Sequence, residues 1–428
     1  MLSKADIMSL YMQVREATMD LVKPLQPEDY RIQTMEDVSP PWWMLGHTSW
    51  FFARLVLKHW GDYSPRDEGL DFLLNSYYHS LGTRLPRDKR GSISCPTNED
   101  IFAYRRDVDT RMLDLISTVD EGLFRKMSPY IEIGCHHEQQ HQELFITEIK
   151  HILAANHPPY QRPYKAMIQQ PRQSEGIPTT WLAVPGVQAT IGHVDESFCW
   201  DNEMAGHEVL LEDYEIQNRL VTNGEYLEFI KDGGYDNSLL WLNNGWDMRQ
   251  KEQWLTPLYW NSNGGHLRQW TLGGMLPINL AEPVCHVSFY EADAFARWKG
   301  ETFNIFRGSR LPREAEWEYA ARHYNIRSDT GNLLENGAFH PRIAQGEGLL
   351  QMTGDLWEWT SSHYEPYPGY KPYSGALVEY SGKFMDNQRV LRGGSFATPR
   401  DHLRITYRNF WPADTRFQAS GIRLVRYI

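Results

Sequence analysis

The segment Cys135-His136-His137-Glu138-Gln139-Gln140-His141-Gln142-Glu143-Leu144 lies in a run, about Gly134 to Ala154, whose apolar spacing predicts an α-helix. Residues four apart on a helix share one face, so His137 and His141 can each turn an imidazole nitrogen toward the same ion. Neutral imidazole suits iron, zinc, copper and nickel alike, and the pair alone does not name the metal. The string His137-Glu138-x-x-His141 also matches a zinc-hydrolase helix, with Glu138 as general base. It fits equally two histidines that merely pack or face solvent, although His136 and the three glutamines argue against purely apolar packing. A third donor stands in Trp42-Trp43-Met44-Leu45-Gly46-His47-Thr48-Ser49-Trp50. A lone histidine in so apolar a setting is more often a hydrogen-bonded core residue. Helical bundles nonetheless build metal sites from side chains on facing helices. Three histidines would leave positions open for O2 and a substrate, like the facial site of oxygen-using iron enzymes with a third His replacing the carboxylate.

Outward from that helix, the first 160 or so residues keep helical spacing. Ile7, Leu10, Tyr11 and Val14 share a face, as do Trp43, Leu45, Trp50, Phe51 and Leu55. A helix from about Asp100 to Thr118 aligns Ile101, Tyr104, Val108, Met112 and Leu115. This predicts an antiparallel four-helix bundle, with a long structured connection between Asp71 and Asn98. A linker is expected near residues 160–178, around Pro158, Pro159, Pro163 and Pro171. Beyond it, short apolar runs alternate with Gly, Asn and Asp turns. Helices are predicted over Ser288–Lys299 and from Arg313 to Arg322, the second following Pro312 with Glu314 and Glu316 in its first turn. The second half reads as an irregular α+β domain.

The chain has 428 residues, too many for one ordinary core, so two domains are expected. A net charge of −12 argues against a nucleic-acid partner, which needs a basic face. No apolar stretch is long enough for a membrane span. The N-terminal segment reads as an amphipathic helix without the features of a signal peptide, so the cytoplasm is expected. Cys95, Cys135, Cys199 and Cys285 form no C-x-x-C pair and fit reduced thiols. With 16 Trp, 23 Tyr and 17 Phe, the cores are aromatic-rich, and some rings can line a pocket for a planar or cationic ligand. Nothing in the sequence fixes an oligomeric state.

Taken in order, Gly46-His47, Leu74-Asn75-Ser76-Tyr77-Tyr78, His137-Glu138-Gln139-Gln140-His141-Gln142-Glu143 and Val390-Leu391-Arg392-Gly393-Gly394-Ser395 resemble the ergothioneine-biosynthesis sulfoxide synthases of the EgtB type. So do Trp200-Asp201-Asn202-Glu203, Arg310-Leu311-Pro312-Arg313-Glu314-Ala315-Glu316-Trp317-Glu318, Gly354-Asp355-Leu356-Trp357-Glu358-Trp359-Thr360 and Gly421-Ile422-Arg423-Leu424. The resemblance covers essentially the whole chain. It implies a DinB-like bundle over residues 1–165 carrying the metal ligands. A formylglycine-generating-enzyme-like, C-type-lectin-like domain over 175–428 would complete the substrate pocket. The implied activity is non-haem Fe(II), O2-dependent formation of a C–S bond between C2 of hercynine, the trimethylated betaine of histidine, and cysteine or γ-glutamylcysteine.

By the same resemblance, His47, His137 and His141 correspond to the iron ligands, and Gln140 to a contact with the hercynine imidazole. Arg87 and Arg90 correspond to residues that hold the thiol's carboxylate, a role suited to guanidinium forks. Tyr77 and Tyr78 correspond to a tyrosine pair able to supply a proton beside the metal. Tyr380 lies near the catalytic tyrosine of another branch, in a context closer to the Tyr77–Tyr78 branch. Asn409 and Phe410 correspond to residues for hercynine's carboxylate and trimethylammonium, the latter apt for an aromatic face. Trp411 is placed with them, where the family commonly carries Phe or Asp. Ser94-Cys95-Pro96 replaces the usual Ser-Arg-Pro, and Thr415-Arg416-Phe417-Gln418-Ala419-Ser420 replaces a usual Arg-Trp-Gln-Phe-Ser. These departures fall on the implied thiol side, and they keep open a selenoneine synthase that joins hercynine to a seleno-sugar. Formylglycine generation itself needs two cysteines near the Gly-Gly-Ser and Arg-Asn motifs, and none lies between Gly393 and Arg423.

Overall fold

The computed structural model describes residues 2–61, 63–64, 69–157, 160–165, 176–262 and 266–428. The chain divides into two compact units, Met1–Lys165 and Ala166–Ile428. Of the linker prolines, Pro158, Pro159 and Pro171 lie outside the described residues.

The first unit is helical. Ser3 caps α1 (Lys4–Val22), and Asp6 returns a bond to the Ser3 backbone, so two donors at the helix start are satisfied. α2 (Pro41–Phe52) starts on Pro41, where the missing N–H costs nothing. It runs through a π-turn at Ala53–Leu57 into α3 (Lys58–Trp60). α4 (Gly69–Leu74) and 3-10 turns at His79–Leu81 and Arg87–Ser92 occupy the long connection. Thr97 then caps α5 (Asn98–Thr118), and Asp120 caps α6 (Glu121–Ala154). Ile7, Tyr11 and Val14 of α1 bury against Phe52, Val56, Val108, Met112, Phe124 and Ile131 to form the bundle core. Each such side chain contributes about 1.5–3 kcal/mol by leaving water.

α6 starts at Glu121, well before the expected Gly134. Pro129 and Gly134 look like helix breaks in the sequence, but a proline inside a helix removes one donor without necessarily ending it. Gly134 answers a packing demand instead: a Cβ there would stand 2.4 Å from Cε1 of Phe52. α2 can therefore approach α6 closely at this level.

The second unit opens with β1 (Trp181–Val184), β2 (Val187–Ile191), β3 (His207–Leu211) and β4 (Tyr214–Gln217). Next come α7 (Asn223–Lys231), α8 (Asn243–Lys251) and the strands β5 (Trp260–Asn261), β6 (Arg268–Thr271) and β7 (Gly274–Pro277). α9 (Phe289–Thr302) and α10 (Glu314–His323) precede β8 (Trp357–His363), β9 (Gln388–Arg392), β10 (Asn409–Pro412), β11 (Ser420–Gly421) and β12 (Val425–Tyr427). Among the described residues the sheets run β1-β4-β12, β10-β9-β8-β11, β2-β3 and β5-β6-β7. Trp317, Ala320 and Ala321 of α10 pack with Val184, Tyr214, Ile216 and Val425.

The motifs quoted for this half close buried and partly buried ion pairs, most of them between distant segments. Arg392 meets Glu318 at 2.5 Å, Arg423 meets Glu358 at 2.8 Å, and Arg404 meets Glu203 at 2.7 Å. Arg408 meets Glu314 at 2.9 Å and Arg310 meets Glu316 at 2.7 Å. Charges are tolerated out of water when paired in this way, which gives these motif residues a structural reason to be where they are. No helix among the described residues is long and apolar enough to cross a membrane. All four cysteines are free thiols, with Cys95 exposed and the others buried.

Candidate metal centre

α2 and α6 bring His47, His137 and His141 together, each offering a ring nitrogen within 4.8 Å of the others. Their ring centroids stand 5.0, 4.9 and 4.7 Å apart. Trp43, His47 and Trp50 form one row on α2, and all three donate to α4. Trp43 Nε1 donates to the Leu73 carbonyl at 2.8 Å, and Trp50 Nε1 to the Asp71 carboxylate at 2.7 Å. His47 Nδ1 lies 2.6 Å from the Leu74 carbonyl. Helix-end carbonyls lack intrahelical partners, so the row satisfies the C-terminus of α4. Gly46 lets α4 sit this close, since a Cβ there would lie 2.6 Å from the Leu74 side chain.

A carbonyl can only accept, so His47 Nδ1 carries the proton and Nε2 keeps its lone pair. That Nε2 stands 3.2 Å from Nε2 of His137. Two ligands bonded at about 2.1 Å and spread by about 100° have nitrogens about 3.2 Å apart, so the spacing fits a shared ion. Trp43 stacks on His47 at 4.6 Å and 10°, and Phe51 stacks on His137 at 4.1 Å and 21°. These flanking rings restrict the imidazoles. Burial holds His47 and His137 well below the usual imidazole range, and the neighbouring imidazole of His141 adds to it. Burial and then the Arg90 charge push His141 down to about 3. All three rings are therefore neutral near pH 7, the form that binds a metal. His141 is only half-buried, unlike the other two. The donor set fits a divalent transition metal with imidazole ligands and room for more.

Glu138 is turned to other work. Its Oε1 accepts from Arg105 at 2.6 Å and from the Thr18 hydroxyl at 2.6 Å, and its Oε2 accepts from Arg15 at 2.8 Å. Burial alone would raise its carboxyl, but Arg105 and Arg15 hold it down to about 2. A general base must reach the water it activates, and this carboxylate is fully buried between two arginines. The geometry argues against the zinc-hydrolase reading of the helix.

Arg90 is buried, with its guanidinium 3.3 Å from the centroid of the Trp43 ring. Burial and the adjacent Arg87 bring it well below the usual arginine range, opposed by Glu148. Its Nη1 donates to Ser39 Oγ at 2.9 Å, while Ser39 N donates to Glu148 at 3.0 Å. Arg87 is half-buried and bonds Asp37 through the carbonyl at 2.9 Å and the carboxylate at 3.2 Å. Gln140 sits on α6 one residue before His141, half-buried. Tyr77 and Tyr78 stack on each other at 4.6 Å. Tyr78 is buried with ring centroids 6.0 Å from Trp50 and 6.4 Å from Phe51, two of the rings around the histidines.

The remaining candidates belong to the second unit. Asn409, Phe410 and Trp411 lie on β10, all half-buried. Phe410 stacks on Tyr364 at 4.0 Å and 11°, and Trp411 meets Phe417 edge-on at 5.4 Å. Tyr380 is buried and stacked on Trp200 at 4.5 Å. Sequence reasoning missed Arg15, Arg105 and Glu148. The available signal for Arg15 was its position among Tyr11, Val14 and Thr18 on an otherwise inward face.

A family model described as the DinB superfamily matches residues 10–145. One described as the sulfatase-modifying factor enzyme 1-like domain matches residues 165–428. The hercynine oxygenase of Mycolicibacterium smegmatis is 32% identical over an alignment 446 positions long, covering 96% of each chain. The hercynine oxygenase of Mycobacterium tuberculosis is 38% identical over 253 residues, covering 54% of this chain and 56% of its own. Ergothioneine biosynthesis protein 1 of Schizosaccharomyces pombe is 29% identical over 239 residues, covering 54% of this chain and 28% of its own.

Proposed function

The chain belongs to the hercynine oxygenase family, and from that premise we propose that it is an Fe(II)- and O2-dependent sulfoxide synthase joining hercynine to a thiol, cysteine or γ-glutamylcysteine. The observation that carries this reading is the convergence of three neutral imidazoles, one of them half-buried, beside a buried arginine.

The reaction balances with one O2. The thiol sulfur bonds to imidazole C2, one oxygen atom ends on sulfur, and the other leaves as water with the thiol proton and the C2 hydrogen. His47, His137 and His141 would hold Fe(II), which would supply redox chemistry toward O2 and favour the ionised form of the thiol. The protein's own groups bind and orient. Arg90 and Arg87 take the thiol's carboxylate, and the stacking of Arg90 on Trp43 fixes one guanidinium plane for a fork-like contact. Tyr77 or Tyr78 supplies a proton during oxygen reduction, which favours coupling over simple thiol oxidation. Gln140 contacts the imidazole of hercynine. Asn409, Phe410 and Trp411 of the second unit offer an amide and aromatic faces, groups that suit a carboxylate and a trimethylammonium. Four free thiols suit the reducing cytoplasm as the place of the reaction.

The test is anaerobic reconstitution with Fe(II), followed by O2 and hercynine with cysteine, γ-glutamylcysteine or a seleno-sugar. The expected product has the mass of a hercynine–thiol sulfoxide. Disulfide or sulfinate alone would end the coupling hypothesis, and product from the seleno-sugar alone would reassign the donor.

A further inference from the structure

Glu138, Arg15 and Arg105 take no part in the proposed reaction, yet all three are buried beside the ligand-bearing helices. Glu138 follows His137 directly and binds both arginines. Each arginine then reaches the residues that follow His47 on α2. Arg15 Nη2 donates to Ser49 Oγ at 3.0 Å, and Arg105 Nη1 donates to Thr48 Oγ1 at 3.2 Å. Arg105 also donates to the Arg15 carbonyl at 2.9 Å, tying α5 to α1. Asp109 accepts from Arg15 Nε at 2.6 Å and from Tyr11 at 2.8 Å, so two cations face two carboxylates. One turn along α6, Gln142 donates to the Val14 carbonyl at 2.9 Å and to Thr18 at 3.0 Å.

The distance between His47 and the other two histidines depends on how α2 is rotated and slid against α6. Side-chain tips lie about 5–6 Å from a helix axis, so a rotation of about 10° moves a ring nitrogen by about 1 Å. A metal site needs its ligands held within about 0.5 Å. Buried ion clusters are no more stabilising than a well-packed apolar core, and their best-attested use is to fix registry. We infer that Arg15, Glu138 and Arg105 form a positioning clamp that sets α2 against α6 and thereby the bite of the three histidines. The inference rests on the reading that the histidines hold a metal.

The test cuts the clamp at α2 and leaves every ligand and the Glu138 pairs in place. Thr48→Val and Ser49→Ala are made singly and together in the full chain, with Thr48→Ser as the conservative control. Metal-free protein is titrated with Co(II), read by visible absorption, and melted without metal. The expected result is about a tenfold or greater weakening of Co(II) binding in the double variant, in line with other supporting-shell substitutions. Its absorption bands should shift, its metal-free melting temperature should fall by only a few degrees, the cost of the lost hydroxyl acceptors, and Thr48→Ser should bind like the parent. Wild-type affinity and bands in the double variant would overturn the clamp, as would a loss of affinity matched by a loss of metal-free stability beyond those few degrees. If the double variant does not fold, the two single variants decide by the same criteria. Failure of the parent protein to bind Co(II) would instead remove the metal reading itself.

Discussion

Replacing Glu138 with Gln deletes a charge and almost no volume, and the structure sets what that costs. Removing one partner of a buried ion pair typically costs about 3–5 kcal/mol, because the other charge is stranded. Here the loss falls mainly on Arg105, whose 2.6 Å pair disappears, while Arg15 keeps Asp109 at 2.6 Å. The expected destabilisation is therefore about 3 kcal/mol, near the lower end of that range. Urea unfolding of the metal-free protein should show a lower midpoint at constant slope. Adding Arg105→Met to Glu138→Gln removes the stranded cation and should recover much of the loss, a coupling that a double-mutant cycle measures directly. A loss below about 1 kcal/mol, within the ordinary scatter of point mutations, would refute the reasoning. A catalytic base behaves oppositely, since its substitution spares stability and abolishes turnover.

Glu148 predicts a pH dependence. Burial raises its carboxyl to about 7 from 4.5, against the Ser39 backbone N–H and the charges of Arg87 and Arg90. Its folded value lies above its unfolded one, so the stabilisation is present below pH 4.5 and is lost as pH rises through about 7. The full change amounts to about 3 kcal/mol. Glu148→Gln should flatten this slope between pH 5 and 8 in urea unfolding, and parallel slopes for the two proteins would count against it. Gly134→Ala drives a methyl against the buried Phe52 ring and should cost about 1–3 kcal/mol of overpacking. An unchanged thermal midpoint would mean that α2 and α6 are less tightly packed than described.

The pairing of His137 with His141 was legible because a helix repeats its faces, and four-residue spacing needs no tertiary knowledge. His47 was different. Its surroundings read as core, and it became a candidate ligand only through the habit of bundles to build sites from facing helices and through the resemblance, since α2 and α6 are far apart in the chain. The glutamate of the His-Glu-x-x-His string misled for the same reason. Its partners Arg15 and Arg105 lie on two other helices, and no local pattern announces that a charged residue on an amphipathic helix points inward. The early start of α6 was hidden by Pro129 and Gly134, where tertiary packing outweighs local propensity. In the second unit the motif arginines and glutamates were readable as motifs, whereas their pairing across the fold was not.

The short α4 has a consequence for anyone recombining this protein with its relatives. Its last two carbonyls are gripped by Trp43 and His47, and the chain passes at once into Asn75-Ser76-Tyr77-Tyr78. The tyrosine stretch is thus not a freely portable loop. A graft that slips Leu74 by one position turns a different carbonyl toward His47 Nδ1, and the imidazole loses the acceptor that dictates its tautomer. Chimeras meant to test the proposed sulfur donor should exchange Trp43, His47 and residues 69–81 as one cassette, because the handle that aims the candidate ligand His47 and the strip that carries the tyrosines are spliced end to end.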